Sequence, residues 1–252
     1  MGKDGPGSGA EERVRALKPP ADRLYGRIRG HTLRPRQQLL LDEALPRLRM
    51  GGWGDPASAF AERPGNLALE VGFGGGEHAA ELAAADPRRG VIACEVFVTG
   101  ICSLLSRLVP EPLDPATAPL PGNLRIHDDD ARPLLLALPE GCLDLLVLMF
   151  PDPWPKVRHA KRRFVHPAQV GLVARALRPG GEWRIASDDP TYQRWVEEVM
   201  GAQTLFEPCL DSRERPSHWP QTRYEAKALR AGRQPRYWCF VRGAGSARPM
   251  SF

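Results

Sequence analysis

From Leu67 onward the chain alternates short apolar runs with longer stretches of helical periodicity. LALEV precedes a helical pattern from Glu77 to Ala85, VIACEV one from Thr99 to Leu108, LRIH one from Ala131 to Leu138, and LDLLVLMF one near Pro167 to Leu177. An RPGG turn, the run EWRIA and a helix from Tyr192 to Met200 continue the series. Strands that alternate with helices imply βαβ units, hence an α/β fold with a parallel sheet and helices on both faces. Ligands of such sheets bind outside the carboxyl ends of the strands, so candidate chemistry is expected there.

A chain of 252 residues with 42% hydrophobic content can bury one sizeable core but not two large ones. The expected organisation is a basic, partly disordered N-terminal arm (residues 1–50), a Gly/Pro/Ala-rich linker (51–65), the α/β domain (66–242) and a flexible tail (243–252). Within the arm, Arg36 to Leu48 has a helical pattern. Val109 to Gly122 carries five prolines, which neither a helix nor a central strand tolerates, so a surface loop is expected.

No run approaches the roughly 18 uninterrupted apolar residues of a membrane-spanning helix. The most apolar stretch, Leu143 to Phe150, is short and contains Asp144. The opening residues lack the apolar segment of a secretion signal, and Pro6 stands where a myristoylation signal wants Ser or Thr, so a cytoplasmic protein is expected. The five cysteines include no C-x-x-C pair, so reduced, packed thiols and no metal site are expected.

Net charge is a modest +5, but it is unevenly spread. Arg13 to Arg36 holds eight basic residues against Asp22, Trp154 to Arg163 holds five against none, and Arg213 to Arg242 holds eight against Glu214 and Glu225. The rest of the chain is therefore acidic, a segregation expected of a polyanion-binding face beside an acidic body.

LALEVGFGGGE sets a strand, a Gly-rich turn and a helix start in sequence, with Gly72 and Gly74 among the residues free to take φ > 0 and admit a ligand to the backbone. A dinucleotide-binding turn would want glycine at position 77, where Glu77 near a helix N-terminus repels pyrophosphate. A zwitterionic amino acid bearing a sulfonium suits the loop better, and Glu70 can accept from its cationic portions. Glu95, ending the second strand, is placed to accept both ribose hydroxyls of an adenosine, as NAD enzymes also do. In His127-Asp128-Asp129-Asp130, Asp130 is favoured for the adenine amino group, with Asp128 or Asp129 capping the next helix.

The fourth strand runs into Phe150-Pro151-Asp152-Pro153-Trp154-Pro155-Lys156. Each proline fixes its own φ and biases its predecessor to an extended conformation, so Asp152 is expected to be held rigidly at the strand edge. DNA amino-group methyltransferases carry Asn or Asp followed by Pro-Pro and an aromatic at the corresponding place, of which P-D-P-W is a variant. Asp152 and Asp188 are candidates for accepting from the N–H edge of a base and balancing positive charge on it. Asp188 could instead cap the helix near Pro190, a task that Asp189 fits at least as well. Loops at this sheet edge face the ligand, so Arg158, Lys161, Arg162 and Arg163 are expected to meet the phosphates of a polyanion.

From about Gly26 to Val241, the segments GRIRG, LEVGFGGGE, CEVF, PDPWPKVRHAKRRFV and TRYEAKALRAGR-x-x-x-YWCF resemble, in order, those of the bacterial tRNA (guanine-N7-)-methyltransferases. The resemblance implies a Rossmann-like, class I S-adenosylmethionine (SAM)-dependent methyltransferase fold, mostly parallel and doubly wound with an antiparallel C-terminal edge strand. It implies SAM as cofactor, tRNA as partner, and methylation of guanosine 46 in the variable loop. Carried over by motif, cofactor contacts fall on Glu70, Glu95, Asp130 and Asp152, with Asp152 also catalytic. Substrate contacts fall on Lys156, Asp188, Thr222, Arg223, Tyr224 and Glu225. Guanine N7 attacks with a free lone pair, so no proton need leave first. Departures are a longer Pro-rich loop, Val157 and Ala160 at positions often basic or His, and the triple Asp after His127. Two other readings are an RNA-binding protein of the same fold without activity, against which Glu70, Glu95 and Asp152 argue, and a nucleotide-dependent oxidoreductase, against which Glu77 argues. Monomer and homodimer are both open.

Overall fold

The computed structural model describes residues 26, 28, 30, 32–51 and 54–244. The expected fraying of the first dozen residues, and of the tail beyond 244, lies outside them.

Among the described residues seven strands form a single sheet: β1 (Asn66–Val71), β2 (Arg89–Cys94), β3 (Leu124–His127), β4 (Leu143–Met149), β5 (Leu177–Ser187), β6 (Phe206–Ser212) and β7 (Arg236–Arg242). Their order is β3-β2-β1-β4-β5-β7-β6. The first five are parallel, and β7 runs antiparallel to both β5 and β6. The antiparallel part thus has two strands, with the C-terminal β7 inside and β6 at the edge. Strand order reverses between β1 and β4, which opens a crevice at their carboxyl ends.

Both faces of the sheet are covered, which is why β4 is a nearly continuous apolar run. On one side Leu146 and Leu148 of β4 join a core with α4 (Ala131–Ala137), α5 (Pro167–Ala176) and α6 (Pro190–Gly201). On the other, Leu145, Val147 and Met149 meet the arm helix α1 (residues 35–48), α2 (Glu77–Ala85) and α3 (Val98–Leu108). A last helix, α7 (Arg223–Arg230), leads back to β7.

Helix α1 starts as an α-helical turn (Pro35–Leu39), widens to a π turn (Leu40–Ala44) and ends α-helical (Leu45–Leu48). The widening falls just before Pro46, which has no N–H to give and whose ring crowds the carbonyl four residues back. Leu40, Ala44, Leu45 and Leu48 are buried in the core, so this part of the arm is packed against the body. Arg36 donates to the carbonyls of Val109 and Leu113, and Arg47 to those of Pro115 and Ala118. These two arginines fasten the Pro-rich loop, whose prolines leave carbonyls without N–H partners of their own.

The RPGG turn is absorbed into β5. Leu143 pairs with Leu177 and Leu145 already with Glu182, so residues 178–181 are looped out of the ladder, with Gly180 at φ 77°.

Candidate active site

A cavity of about 420 Å3 lies at the carboxyl ends of β1, β2 and β4. Of the residues expected in a site, it brings together Gly72, Gly74, Glu95, Asp130, Asp152, Arg162 and Tyr224. Glu70, Lys156, Arg158, Lys161, Arg163, Asp188, Thr222, Arg223 and Glu225 are not among its lining residues.

Gly72 and Gly74 take φ of 69° and 58°, left-handed conformations that let the turn after β1 present its backbone to the cavity. Glu95 reaches across from the end of β2. Its Oε2 accepts from Gly74 N at 2.8 Å, and its Oε1 from Val96 N at 2.8 Å and Phe97 N at 2.9 Å. Burial raises the Glu95 carboxyl above its ordinary value, while the three backbone N–H groups pull the other way.

Glu70 is on the opposite face of β1 from Val71, which is the residue that lines the cavity. It is buried, with Oε2 3.0 Å from Nδ1 of the equally buried His78 on α2. Strand alternation carried the signal: Glu70 shares its face with Ala68, beneath the helix that follows the turn.

The three aspartates after β3 divide their roles differently from expectation. Asp130 is the cap of α4, accepting from Arg132 N at 3.1 Å, because it is the last extended residue before the helix. Asp128 forms a two-pronged pair with Arg49, at 3.0 and 2.7 Å. Asp129 and Asp130 both line the cavity, as does Arg132, which sequence reasoning missed and which pairs with Asp130 at 3.1 Å.

Asp152 opens into the cavity, and desolvation by the walls raises its carboxyl above the ordinary value. The backbone around it departs from the extended form expected before proline: Phe150 has φ 51° and Trp154 φ 42°. Proline bars right-handed helical backbone in its predecessor, and this turn resolves the constraint through the left-handed region, at roughly 1–3 kcal/mol per residue. The Trp154 ring lines the cavity under the Arg162 guanidinium, 4.7 Å from its centre.

The segment Val157–Arg162 forms a 3-10 helix, with Lys156, Arg158 and Lys161 exposed. Arg163 does not belong with them. It is only 5% exposed, and its Nε and Nη2 donate to the carbonyls of Pro153 and Trp154. Beyond β5, Asp189 caps α6 through Thr191 N and Tyr192 N, leaving Asp188 to pair with Arg233 at 2.5 Å.

At the start of α7, Thr222 caps the helix by accepting from Glu225 N at 3.1 Å. The Glu225 side chain is buried and pairs with Arg215 at 3.1 Å. Arg223 lies against the Tyr224 ring and 3.9 Å from Glu77. Tyr224 alone of this run lines the cavity. Much of the basic C-terminal segment is likewise paired within the body: Arg236 with Asp211 and Glu197, Arg242 with Glu140 and the Leu177 carbonyl.

Among the described residues no group of three or more His, Cys, Asp or Glu could hold a metal, and no helix is long and apolar enough to cross a membrane.

Residues 64–237 match a family model described as "Putative methyltransferase". The 16S rRNA methyltransferase KamB has a similar fold, with a TM-score of 0.51 at 15% identity, covering 71% of this chain and 89% of that one. The tRNA (guanine-N(7)-)-methyltransferase of Rhodospirillum rubrum is 45% identical over 92% of this chain and 92% of its own length. That of Granulibacter bethesdensis is 66% identical over 90% of this chain and 97% of its own. At these identities over nearly the whole of both chains, the chain belongs to the tRNA (guanine-N(7)-)-methyltransferase family.

Proposed function

We propose that the protein transfers the methyl group of SAM to N7 of a guanosine in tRNA, at position 46 of the variable loop, in the cytoplasm. The observation that carries this reading is the charge arrangement at one sheet edge: Glu95, Asp129, Asp130 and Asp152 line a cavity whose neighbouring 3-10 segment exposes Lys156, Arg158 and Lys161.

The residues present suit this cofactor. A cavity of about 420 Å3 falls in the range of small-molecule sites, about 300–1,000 Å3. The glycine turn gives access to backbone, and a carboxylate has about four acceptor directions, of which Glu95 uses three on N–H groups. One remains for a ribose hydroxyl. Asp129 and Asp130 are at hand for an adenine amino group, and Asp152 for the positively charged end. When bound, SAM supplies an electrophilic methyl group.

Guanine N7 carries a free lone pair, so the protein has no proton to remove. The new N–C bond would form as the methyl's bond to sulfur breaks, so the positive charge would pass from the sulfonium to the base, and Asp152, held at the strand end, is a preorganised negative charge against it. Trp154 and Tyr224 offer aromatic faces for the base, with Lys156, Arg158 and Lys161 on the phosphates.

Incubating the pure protein with unmodified tRNA and methyl-labelled SAM, then mapping the labelled nucleotide, tests the proposal. Label at N7 of guanosine 46 is expected. Label on an exocyclic amine or a ribose would overturn it, and tRNA binding without transfer would leave an RNA-binding protein of this fold.

A further inference from the structure

The turn that carries Asp152 is poorly equipped to hold its own shape. Between Phe150 and Pro155, Pro151, Pro153 and Pro155 have no N–H to donate, so the turn cannot ladder onto a neighbouring strand. Phe150 and Trp154 sit at positive φ, a conformation that persists only where the surroundings enforce it. One end is fixed where Phe150 N donates to Ala186 O of β5 at 2.8 Å. The other end is fixed by a side chain.

That side chain is Arg163. Its Nε donates to Pro153 O at 3.1 Å and its Nη2 to Trp154 O at 3.0 Å, so one planar group grips the two consecutive carbonyls after Asp152. The guanidinium lies over the Trp195 ring on α6, 4.7 Å from its centre, and Trp195 Nε1 donates to Val165 O. Charged donors on carbonyls make stronger bonds than neutral ones, more so away from water. Lysine cannot reproduce the fork.

We propose that Arg163 is a positioning residue for methyl transfer: it clamps the turn that carries Asp152, fixes where that carboxylate stands in the cavity, and ties the turn to α6, the helix that follows Asp188. It contributes nothing to phosphate binding, although it stands in a run of five cations within ten residues. The inference rests on the reading of Asp152 as a group that acts on the reacting base.

The test compares Arg163→Lys, Arg163→Ala and Asp152→Ala in single-turnover methylation with tRNA and SAM saturating, beside tRNA binding at several salt concentrations. A misplacement of about 1 Å costs on the order of a hundredfold in rate, so Arg163→Lys should lower the rate constant by about ten- to a hundredfold. The tRNA dissociation constant and its salt slope should match wild type. Guanidinium ion at millimolar concentration should restore part of the rate constant of Arg163→Ala. A role in folding alone would lower the reaction amplitude and melting temperature but leave the rate constant of the surviving enzyme intact, and would overturn the clamp. So would a wild-type rate constant in Arg163→Lys combined with a flatter salt slope in Arg163→Ala, which is the signature of a phosphate contact. Should Arg163→Ala fail to fold, Arg163→Lys decides the matter by its rate constant. Asp152→Ala separates the two claims: a normal rate constant there removes the basis for both, whereas a fall there with Arg163→Lys unaffected removes the clamp alone.

Discussion

Two alanine substitutions in the same turn should have unequal consequences. Gly72 and Gly74 both have left-handed backbones, at φ 69° and 58°. A side chain costs roughly 1–2 kcal/mol in that conformation, and alanine returns about 0.4–1 kcal/mol by restricting the unfolded chain. A Cβ on Gly72 would meet nothing within 4 Å, so Gly72→Ala should lose about 1 kcal/mol net, or about 2–4 °C in melting temperature for a chain this long. A Cβ on Gly74 would stand 2.4 Å from Cε2 and 2.9 Å from the hydroxyl of Tyr224, so the ring must move as well. Overpacking of this kind adds about 1–3 kcal/mol.

Thermal unfolding and equilibrium binding of SAM, measured on both variants, provide the comparison. Gly74→Ala should melt at least as far again below wild type as Gly72→Ala does, and should weaken SAM binding by about tenfold if some 1.4 kcal/mol of the displacement is felt at the cavity. The decisive arm is the Tyr224→Ala background, where the excess cost of Gly74→Ala should vanish while that of Gly72→Ala persists, the mark of a direct pairwise contact. Equal losses for the two alanines, or an excess that survives removal of the ring, would refute the packing of Tyr224 on the glycine turn.

Asp152→Asn should lower the single-turnover rate by about 10²–10³, as expected when one preorganised electrostatic group is removed, with the rate constant as the deciding number. Because burial raises the Asp152 carboxyl, its charged form is populated only at higher pH than the ordinary 3.8. The acid limb of kcat/KM should therefore lie above that value and change shape in Asp152→Asn; identical limbs would dissociate the carboxylate from it. Replacing Lys156, Arg158 and Lys161 together with Ala should flatten the dependence of log Kd for tRNA on log salt by roughly 0.7–0.9 per lost contact, with SAM affinity unchanged. An unaltered slope would take this segment off the RNA-binding face.

The parallel core was legible because β1 to β4 are almost wholly buried and their helices only half so, which lets hydrophobic period distinguish them without help from the rest of the chain. The five parallel strands fall within a few residues of the apolar runs that announce them. RPGG reads as a turn, and only pairing on both sides of residues 178–181 shows that it is looped out within one strand. In the arm, Leu40, Ala44, Leu45 and Leu48 formed a visible stripe, but not what it would pack against. Carboxylates at strand ends were found by position, and the facing of Glu70 was available from alternation alone. Cations were harder. Arg233 finds Asp188 forty-five residues away and Arg163 finds backbone carbonyls ten residues back, and a count of charges cannot say which of them has a partner. Loop cations close in sequence thus divide into exposed ones, such as Lys156, and a buried one, Arg163, by a difference that only the fold creates.

Carboxylates inside and cations beside them also explain how a site for part of a polyanion can exclude the polyanion itself. A phosphate about 5 Å from Asp152 would be repelled by about 3 kcal/mol at an effective dielectric constant near 20, and Glu95 and Asp129 add to that, so that the four lining carboxylates outweigh the two lining guanidiniums, Arg132, which pairs with Asp130, and Arg162. The exposed Lys156, Arg158 and Lys161 supply the opposite field next to the cavity. A ribose-phosphate backbone is thereby kept at the rim, and only a base, neutral and carrying N–H donors on one edge, gains by entering. The same carboxylates that repel phosphate attract the positive charge of a sulfonium and of an N7-methylated ring. On the proposed reading Asp152 serves both ends from the mouth, between the two fields, the position in which the strained, proline-bounded turn gripped by Arg163 would hold it.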